Sequence, residues 1–331
     1  MEAHYDHCVS GHSHFLVTED LFPLMKSWAK ETGFSAPDVT WFARNHQLLQ
    51  LELLRVLNKN GCIAVVDSFP YFYILKELQQ LVYRFLGREI EFGAILSLDN
   101  VYTGNMNLSG YFPLQFSRAI DIAGKEIGRK ERPFSEKLDA QILSFRETLS
   151  GFTSKVIIID DGMWTGGTAK ETCELLKKNN FEVKAAVVGI NIRRKGVPCC
   201  LDLPVHAVQT YDESSRPVLD WVCERDFFPG VPLGGRTVVD DSLPDFFRKN
   251  RVTAGAYYIE KPEWLKNWAS IDDPDGQFRR FCIGRSIELF EEVERLSGRP
   301  VLFRNLTRVP FSLILNEDKE QRVVDLLEEM A

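Results

Sequence analysis

The residues with the most chemistry per unit length are Asp160 and Asp161, which follow Val156-Ile157-Ile158-Ile159 and precede Gly162-Met163-Trp164-Thr165-Gly166-Gly167-Thr168. An unbroken β-branched run is the pattern of a parallel strand covered on both faces, so it delivers two carboxylates to a strand's C-terminal end. The Gly/Thr loop then opens a helix predicted over 169–178, with Thr168 and Glu171 at capping-box spacing. Loop N–H groups and a helix N-terminus hold a phosphate, glycines let the backbone approach it, and the Thr165 and Thr168 hydroxyls add donors. The carboxylates repel phosphate. Their partners are sugar hydroxyls, or a Mg²⁺ ion, which takes oxygen ligands. Together these groups suit a phosphorylated sugar.

The positioning elements can be read around them. A second apolar strand, Val183 to Ile190, follows helix 169–178 and the Asn179-Asn180 turn, completing a βαβ unit and predicting an α/β parallel sheet. Upstream, the leucine-rich helix around 48–57 stops at Asn58-Lys59-Asn60-Gly61. A strand is predicted from Cys62 to Val66, a turn at Ser68-Phe69-Pro70, a helix ending near Gly87, and a strand from Ile90 to Leu98. From about Pro244 the pattern becomes helical: Asp245–Asn250, Pro262–Trp268, Gln277–Ser297 and Lys319–Met330, with Gly298 as a stop. The sequence therefore predicts a domain over 1–240 and a mainly helical appendage over 241–331.

The segment 156–168 resembles the PRPP-binding signature of the type I phosphoribosyltransferases: a hydrophobic strand, two acidic residues, a short spacer, then T-G-G-T. The resemblance implies a phosphoribosyltransferase-like parallel sheet flanked by helices, with an N-terminal hood. It implies a magnesium-dependent enzyme moving a phosphoribosyl group between PRPP and a nitrogenous base, with pyrophosphate leaving. Asp160 and Asp161 would contact the ribose hydroxyls. Gly162, Thr165, Gly166, Gly167, Thr168 and Ala169 would surround the 5′-phosphate. Trp164 stands where the family has a small residue. The alternative is a non-catalytic protein that senses PRPP or a nucleotide.

Two shorter segments are similar to the orotate-type enzymes. Ser10-Gly11-His12-Ser13-His14-Phe15, followed by Leu21-Phe22, resembles their S-G-x-x-S hood segment. Arg129-Lys130-Glu131-Arg132 is similar to the start of their mobile catalytic loop, so Arg129 and Lys130 are candidates for stabilising pyrophosphate; Pro133 replaces the expected lysine. The plainer reading of the same run is a solvated, charge-rich helix end or loop. A pyrophosphate loop has two candidates, Asp99-Asn100-Val101-Tyr102-Thr103-Gly104 and Asp67-Ser68-Phe69-Pro70-Tyr71. Spacing favours the first and local wording the second.

Other features carry less. His4, His7, Cys8, His12 and His14 match no closed zinc spacing. Trp221 to Gly230, leading to Arg236, reads as a turn-rich connection, with Trp221, Asp226 or Arg236 as alternative base contacts. Cys199-Cys200 reads as two small apolar side chains. Across 331 residues, 40 Lys+Arg against 47 Asp+Glu give a net charge of −7, with no basic block to hold a nucleic-acid backbone. No apolar run suggests a membrane span, and the start lacks signal-peptide order, so a cytoplasmic protein with reduced thiols is expected. Expected partners are PRPP and a nucleobase-like small molecule, with a homodimer by family analogy.

Overall fold

The computed structural model describes residues 13–59, 64–88, 94–99, 101, 110–149, 154–193, 202–232 and 236–331. In chain order the elements are β1 (Ser13–Glu19), α1 (Leu21–Thr32), α2 (Val39–Lys59), β2 (Ala64–Pro70), α3 (Tyr71–Arg88), β3 (Ala94–Ser97), β4 (Tyr111–Pro113), β5 (Phe116–Ile120) and β6 (Glu126–Glu131). They continue with α4 (Leu138–Thr148), β7 (Lys155–Met163), α5 (Gly167–Lys178), β8 (Glu182–Arg193), β9 (Val205–Asp212), β10 (Val218–Cys223) and β11 (Arg236–Val238). The last are α6 (Asp245–Lys249), β12 (Thr253–Ala256), α7 (Pro262–Ala269), α8 (Gln277–Ser297), β13 (Arg308–Pro310) and α9 (Val323–Met330). Among the described residues the fold is mixed α/β, with parallel strands flanked by helices.

The chain divides into two compact units, one of Pro70–Phe116 and Ser135–Val218, the other of Met1–Phe69, Ser117–Phe134 and Leu219–Ala331. The first is built on a five-stranded sheet in the order β4-β3-β7-β8-β9, and every pairing in it is parallel. Strand β3, the first half of β7 and most of β8 are apolar because helices cover both faces, whereas β9 carries half-buried polar residues. Alternate residues of β3 and β7 point to opposite sides. Leu96, Val156 and Ile158 pack with Ile142 and Phe145 of α4, Leu149 just after it, and Leu176 of α5. On the opposite side, α3 contacts β8 and β9. Each such fully buried side chain stabilises the unit by about 1.5–3 kcal/mol relative to exposure.

The second unit holds a three-stranded sheet, β10-β1-β2, and a five-stranded mixed sheet, β13-β12-β11-β5-β6. In the latter, β5–β11 and β12–β13 are parallel and β11–β12 antiparallel. This corrects the expected boundary near 240. Residues 241–331 are not an appendage: β12 and β13 extend the sheet that contains β5 and β6, a non-local pairing that hydrophobic periodicity does not encode.

Local expectations fare unevenly. Helix α8 has the predicted ends, and Gly298 closes it in the left-handed conformation at φ 66°. Helix α9 begins at Val323 rather than Lys319, because the carbonyls of Lys319 and Gln321 instead accept the N–H groups of Arg304 and Phe303. Strand β2 runs on through Ser68, Phe69 and Pro70, and α3 follows at once, where a turn was expected. Ser10, Gly11, His12, the other residues of the His/Cys group up to Cys8, Cys62, Ile90, Asn100, Tyr102–Gly104, and Cys199-Cys200 lie outside the described residues. Among the described residues, no helix is long and apolar enough to cross a membrane.

Candidate functional site

The acidic pair lies within a strand that outlasts its neighbour. Pairing between β3 and β7 ends at Ser97↔Ile159, and the Leu98 N–H donates to the Ile159 carbonyl at 2.8 Å. Strand β7 nevertheless continues along β8, with Asp160↔Val188, Gly162↔Ile190 and Met163↔Asn191 paired. Asp160 and Asp161 therefore emerge at the carboxyl edge of a parallel sheet, beside the end of β3. In open α/β sheets that edge is where ligands bind.

Asp99 leaves β3 at the same edge. It is buried, its carboxylate accepts the Val101 N–H at 3.1 Å, and its carbonyl accepts the Ser97 hydroxyl at 2.6 Å. The Tyr71 hydroxyl donates to the Val101 carbonyl at 3.0 Å, tying α3 to this turn. Of the two candidate pyrophosphate loops, the one starting at Asp99 thus shares a sheet edge with Asp160. Asp67 lies on β2 in the other unit, where its carboxylate is 2.8 Å from His14 Nδ1.

Charge is concentrated here. Asp160 is half-buried and surrounded by protein, and its carboxyl is held well above the usual carboxylate range, first by desolvation and then by the charges of Asp161 and Asp99. Its Oδ1 accepts the Asp161 N–H at 3.0 Å, which partly offsets the shift. A hydroxyl donor or a cation would relieve this repulsion. Among the described residues, no group of three or more His, Cys, Asp or Glu is arranged to hold a metal ion. Two neighbouring carboxylates are oxygen donors of the kind a Mg²⁺ ion takes, and they would hold one together with a ligand's own oxygens.

The loop after β7 turns through Gly166, whose φ of 74° favours glycine, and this residue caps α5. The expected Thr168/Glu171 capping box is absent. The helix starts earlier, at Gly167, so Thr168 sits inside it and its carbonyl accepts the Thr172 hydroxyl at 3.0 Å. Gly166 offers no side chain to cap α5, the Thr165 hydroxyl accepts the Gly167 N–H at a long 3.5 Å, and the first turn carries no acidic residue. Its positive end therefore faces the loop with no carboxylate in its own first turn. Thr165 is exposed, Gly162 and Thr168 are half-buried, and Ala169 is buried against Met163, Ala186 and Val188. Trp164 is half-buried between the strand end and Thr165.

Sequence reasoning missed Gly189. A Cβ built there would lie 2.5 Å from the Asp161 carbonyl oxygen and 2.9 Å from Ile74 Cγ2. Only glycine lets β7 lie this close to β8 at the acidic pair. The signal was available, as a lone glycine within the apolar strand Val187-Val188-Gly189-Ile190.

Arg129 and Lys130 are on β6, half-buried and exposed respectively, in the mixed-sheet unit. They do not form the expected loop or helix end, since Glu126–Glu131 alternates exposed and half-buried residues as an edge strand does. Likewise Trp221 is in β10, where its indole N–H donates to Thr18 Oγ1 at 2.8 Å. Asp226 and Arg236 are buried in that same unit, rather than presented on a turn-rich connection.

Comparison with known proteins yields fold neighbours of limited extent. No protein-family model matches the chain, and no curated protein does. Among solved structures, a hypothetical protein from Neisseria gonorrhoeae with bound ppGpp aligns at 13% identity and a TM-score of 0.33, covering 46% of this chain and 85% of that one. Adenine phosphoribosyltransferase from Rhodothermus marinus aligns at 18% identity and a TM-score of 0.25, covering 41% and 78%. The enzyme of the same name from Thermoanaerobacter pseudethanolicus aligns at 11% identity and 0.27, covering 41% and 80%.

Proposed function

We propose that the chain is a phosphoribosyltransferase that moves the phosphoribosyl group between PRPP and a nitrogenous base. The observation that carries this reading is one continuous strand-loop-helix, Lys155 to Lys178. It places two carboxylates and a glycine-rich helix start side by side, with Asp99 just past the end of the adjoining strand. Asp160 and Asp161 accept hydrogen bonds from the ribose 2′ and 3′ hydroxyls. The N–H groups of Gly167, Thr168 and Ala169 and the Thr165 hydroxyl take the 5′-phosphate, with Gly162 and Gly166 allowing its approach. The turn beginning at Asp99 adjoins the pyrophosphate.

These contacts fix the sugar at both ends and leave C1 as the free centre. The bond from C1 to the pyrophosphate oxygen breaks as positive charge develops on the ring. Carboxylates held near the ribose favour that charge, and positioning of the nucleophile supplies much of the rest. Asp160 and Asp161 would help hold a Mg²⁺ ion, which would neutralise charge on the leaving group.

A second reading, a PRPP-binding regulator without transfer, draws on the placement of Arg129 and Lys130 in a strand, where the family's basic catalytic loop was expected. One experiment separates the two. Purified protein is titrated with PRPP and Mg²⁺ in a calorimeter and then assayed for pyrophosphate release with a panel of nucleobases. Binding with release supports the transferase, binding without release the regulator, and no binding rejects both.

A further inference from the structure

Among the described residues, the mixed-sheet unit brings three arginines together on β5, β11 and β13. Strands β5 and β11 run parallel with Ala119↔Thr237 and Ile120↔Val238 in register, so Arg118 and Arg236, each one residue earlier, fall side by side on one face. Arg236 is only 6% exposed. Its guanidinium lies flat over Trp268, 3.8 Å from the ring centroid, and Trp264 stacks on that indole at 4.7 Å. This fixes the group without using its donors. Nε and Nη1 of Arg236 are buried and have no hydrogen-bond partner. The nearest carboxylate oxygen to Nε, from Glu126, is 3.6 Å away on a side chain that is 50% exposed.

A third arginine lies behind this pair. Arg308 is buried, crosses over Gly255, and donates from Nη2 to the Arg236 carbonyl at 2.7 Å, leaving Nε without a partner. Facing Arg118 and Arg236 are Tyr258, Asp226 and Glu126. Burial, then the Asp226 charge, pushes the Tyr258 phenol up to about 12, so it supplies no negative charge at neutral pH. Glu260, which faces Arg308, is already committed to the N–H groups of Tyr257 and Ser312 and to the Ser312 hydroxyl. Asp226, the half-exposed Glu126 and Glu260 thus face the three guanidinium groups, and Nε and Nη1 of Arg236 still lack a hydrogen bond. A buried guanidinium with unused donors is costly unless an anion completes it.

We propose that Arg118 and Arg236 form an oxyanion-binding site that takes the phosphoryl group of a small phosphorylated molecule. Two adjacent guanidinium groups match a charge near −2, which a phosphate monoester carries and a single carboxylate does not. Arg118 is solvent-exposed and is the side chain the ligand meets first. Arg236, held by Trp268, is the preorganised half, and Arg308 adds long-range attraction from beneath. The site is independent of the PRPP reading, since every residue in it belongs to the mixed-sheet unit.

The test reads Arg118 directly. The full chain, in EDTA and at constant ionic strength set with sodium chloride, is labelled with phenylglyoxal, and modification of Arg118 is followed by peptide mass spectrometry. Inorganic phosphate at ten times its apparent Kd should slow labelling about tenfold. Arg236→Gln should abolish that protection while Arg118 still labels. Arg236→Lys, which keeps the charge and loses the planar donors, should weaken it if the Gln variant fails to fold. Thr168→Glu, which places a carboxylate in the first turn of α5, should leave protection intact and so separates this site from the loop proposed for PRPP. Absence of protection by phosphate would overturn the proposal. So would equal protection by acetate, which would mark a general carboxylate or screening effect.

Discussion

The two units gather charge of opposite sign, and they assemble it differently. In the parallel-sheet unit, Asp99, Asp160 and Asp161 meet at the ends of two adjacent strands, the first buried and the other two half-buried at the sheet edge. In the mixed-sheet unit, Arg118, Arg236 and Arg308 come from three strands far apart in sequence, the first two on one sheet face and Arg308 on the other, and two of the three are buried. The acidic site is a property of one segment and its neighbour, while the basic one is a property of strand register. Each is relieved by a ligand of opposite character: hydroxyl donors with a cation in one, an oxyanion in the other.

The largest response is expected from the acidic site's own charge. The Asp160 pKa is raised in the folded protein, so the native state binds its proton more tightly than the unfolded chain does. That contribution is fully present below the ordinary carboxylate pKa of 3.8 and is lost as pH rises toward the raised value. Thermal melts across pH should therefore show stability falling over that window in the wild type. Asp160→Asn should remove this part of the slope and melt higher than the wild type at alkaline pH.

Gly189→Val should cost about 3 kcal/mol, because the new Cβ meets a backbone carbonyl that can move only with β7. Denaturant unfolding measures the loss, and PRPP binding should fall with it while phosphate protection of Arg118 persists. Gly255→Ala reverses the pattern. Its Cβ would lie within 2.2 Å of three Arg308 guanidinium atoms, displacing a buried side chain rather than backbone, at a cost of about 1–3 kcal/mol. Phosphate protection of Arg118 should weaken and PRPP binding hold. If both glycine variants impaired both ligands equally, the two charge clusters would not be independent. The smallest effect is expected for Gly166→Ala, about 1 kcal/mol from the positive φ alone, read as a small drop in melting temperature and weaker PRPP binding.

What was legible in the sequence follows the same division. Strand β7, helix α5 and strand β8 were readable because apolar run, acidic pair and glycine loop are consecutive, and α8 because Gly298 marks its end. The Thr168/Glu171 signal failed locally: Gly166 adopts the left-handed conformation and starts the helix before the threonine. The boundary near 240 and the edge-strand placement of Arg129 and Lys130 failed for a non-local reason. Strand β6 is charged and interrupted by Gly128, at φ 92°, so no apolar alternation announces it. Strands β11, β12 and β13 are three or four residues long and gain meaning only from their partners. Asp226 and Arg236 were singled out from the sequence, but their company with Arg118 and Arg308 depends on that pairing.

The most direct test of the central claim is a calorimetric titration with PRPP and Mg²⁺ of the wild type beside the Asp160→Asn/Asp161→Asn double variant, with folding checked by thermal melt. Loss of two carboxylate–hydroxyl contacts, each about 1.5–3 kcal/mol, predicts saturable wild-type binding weakened at least about 100-fold in the variant. Equal affinity in a folded double variant would contradict the assignment of the acidic strand end as the ribose site.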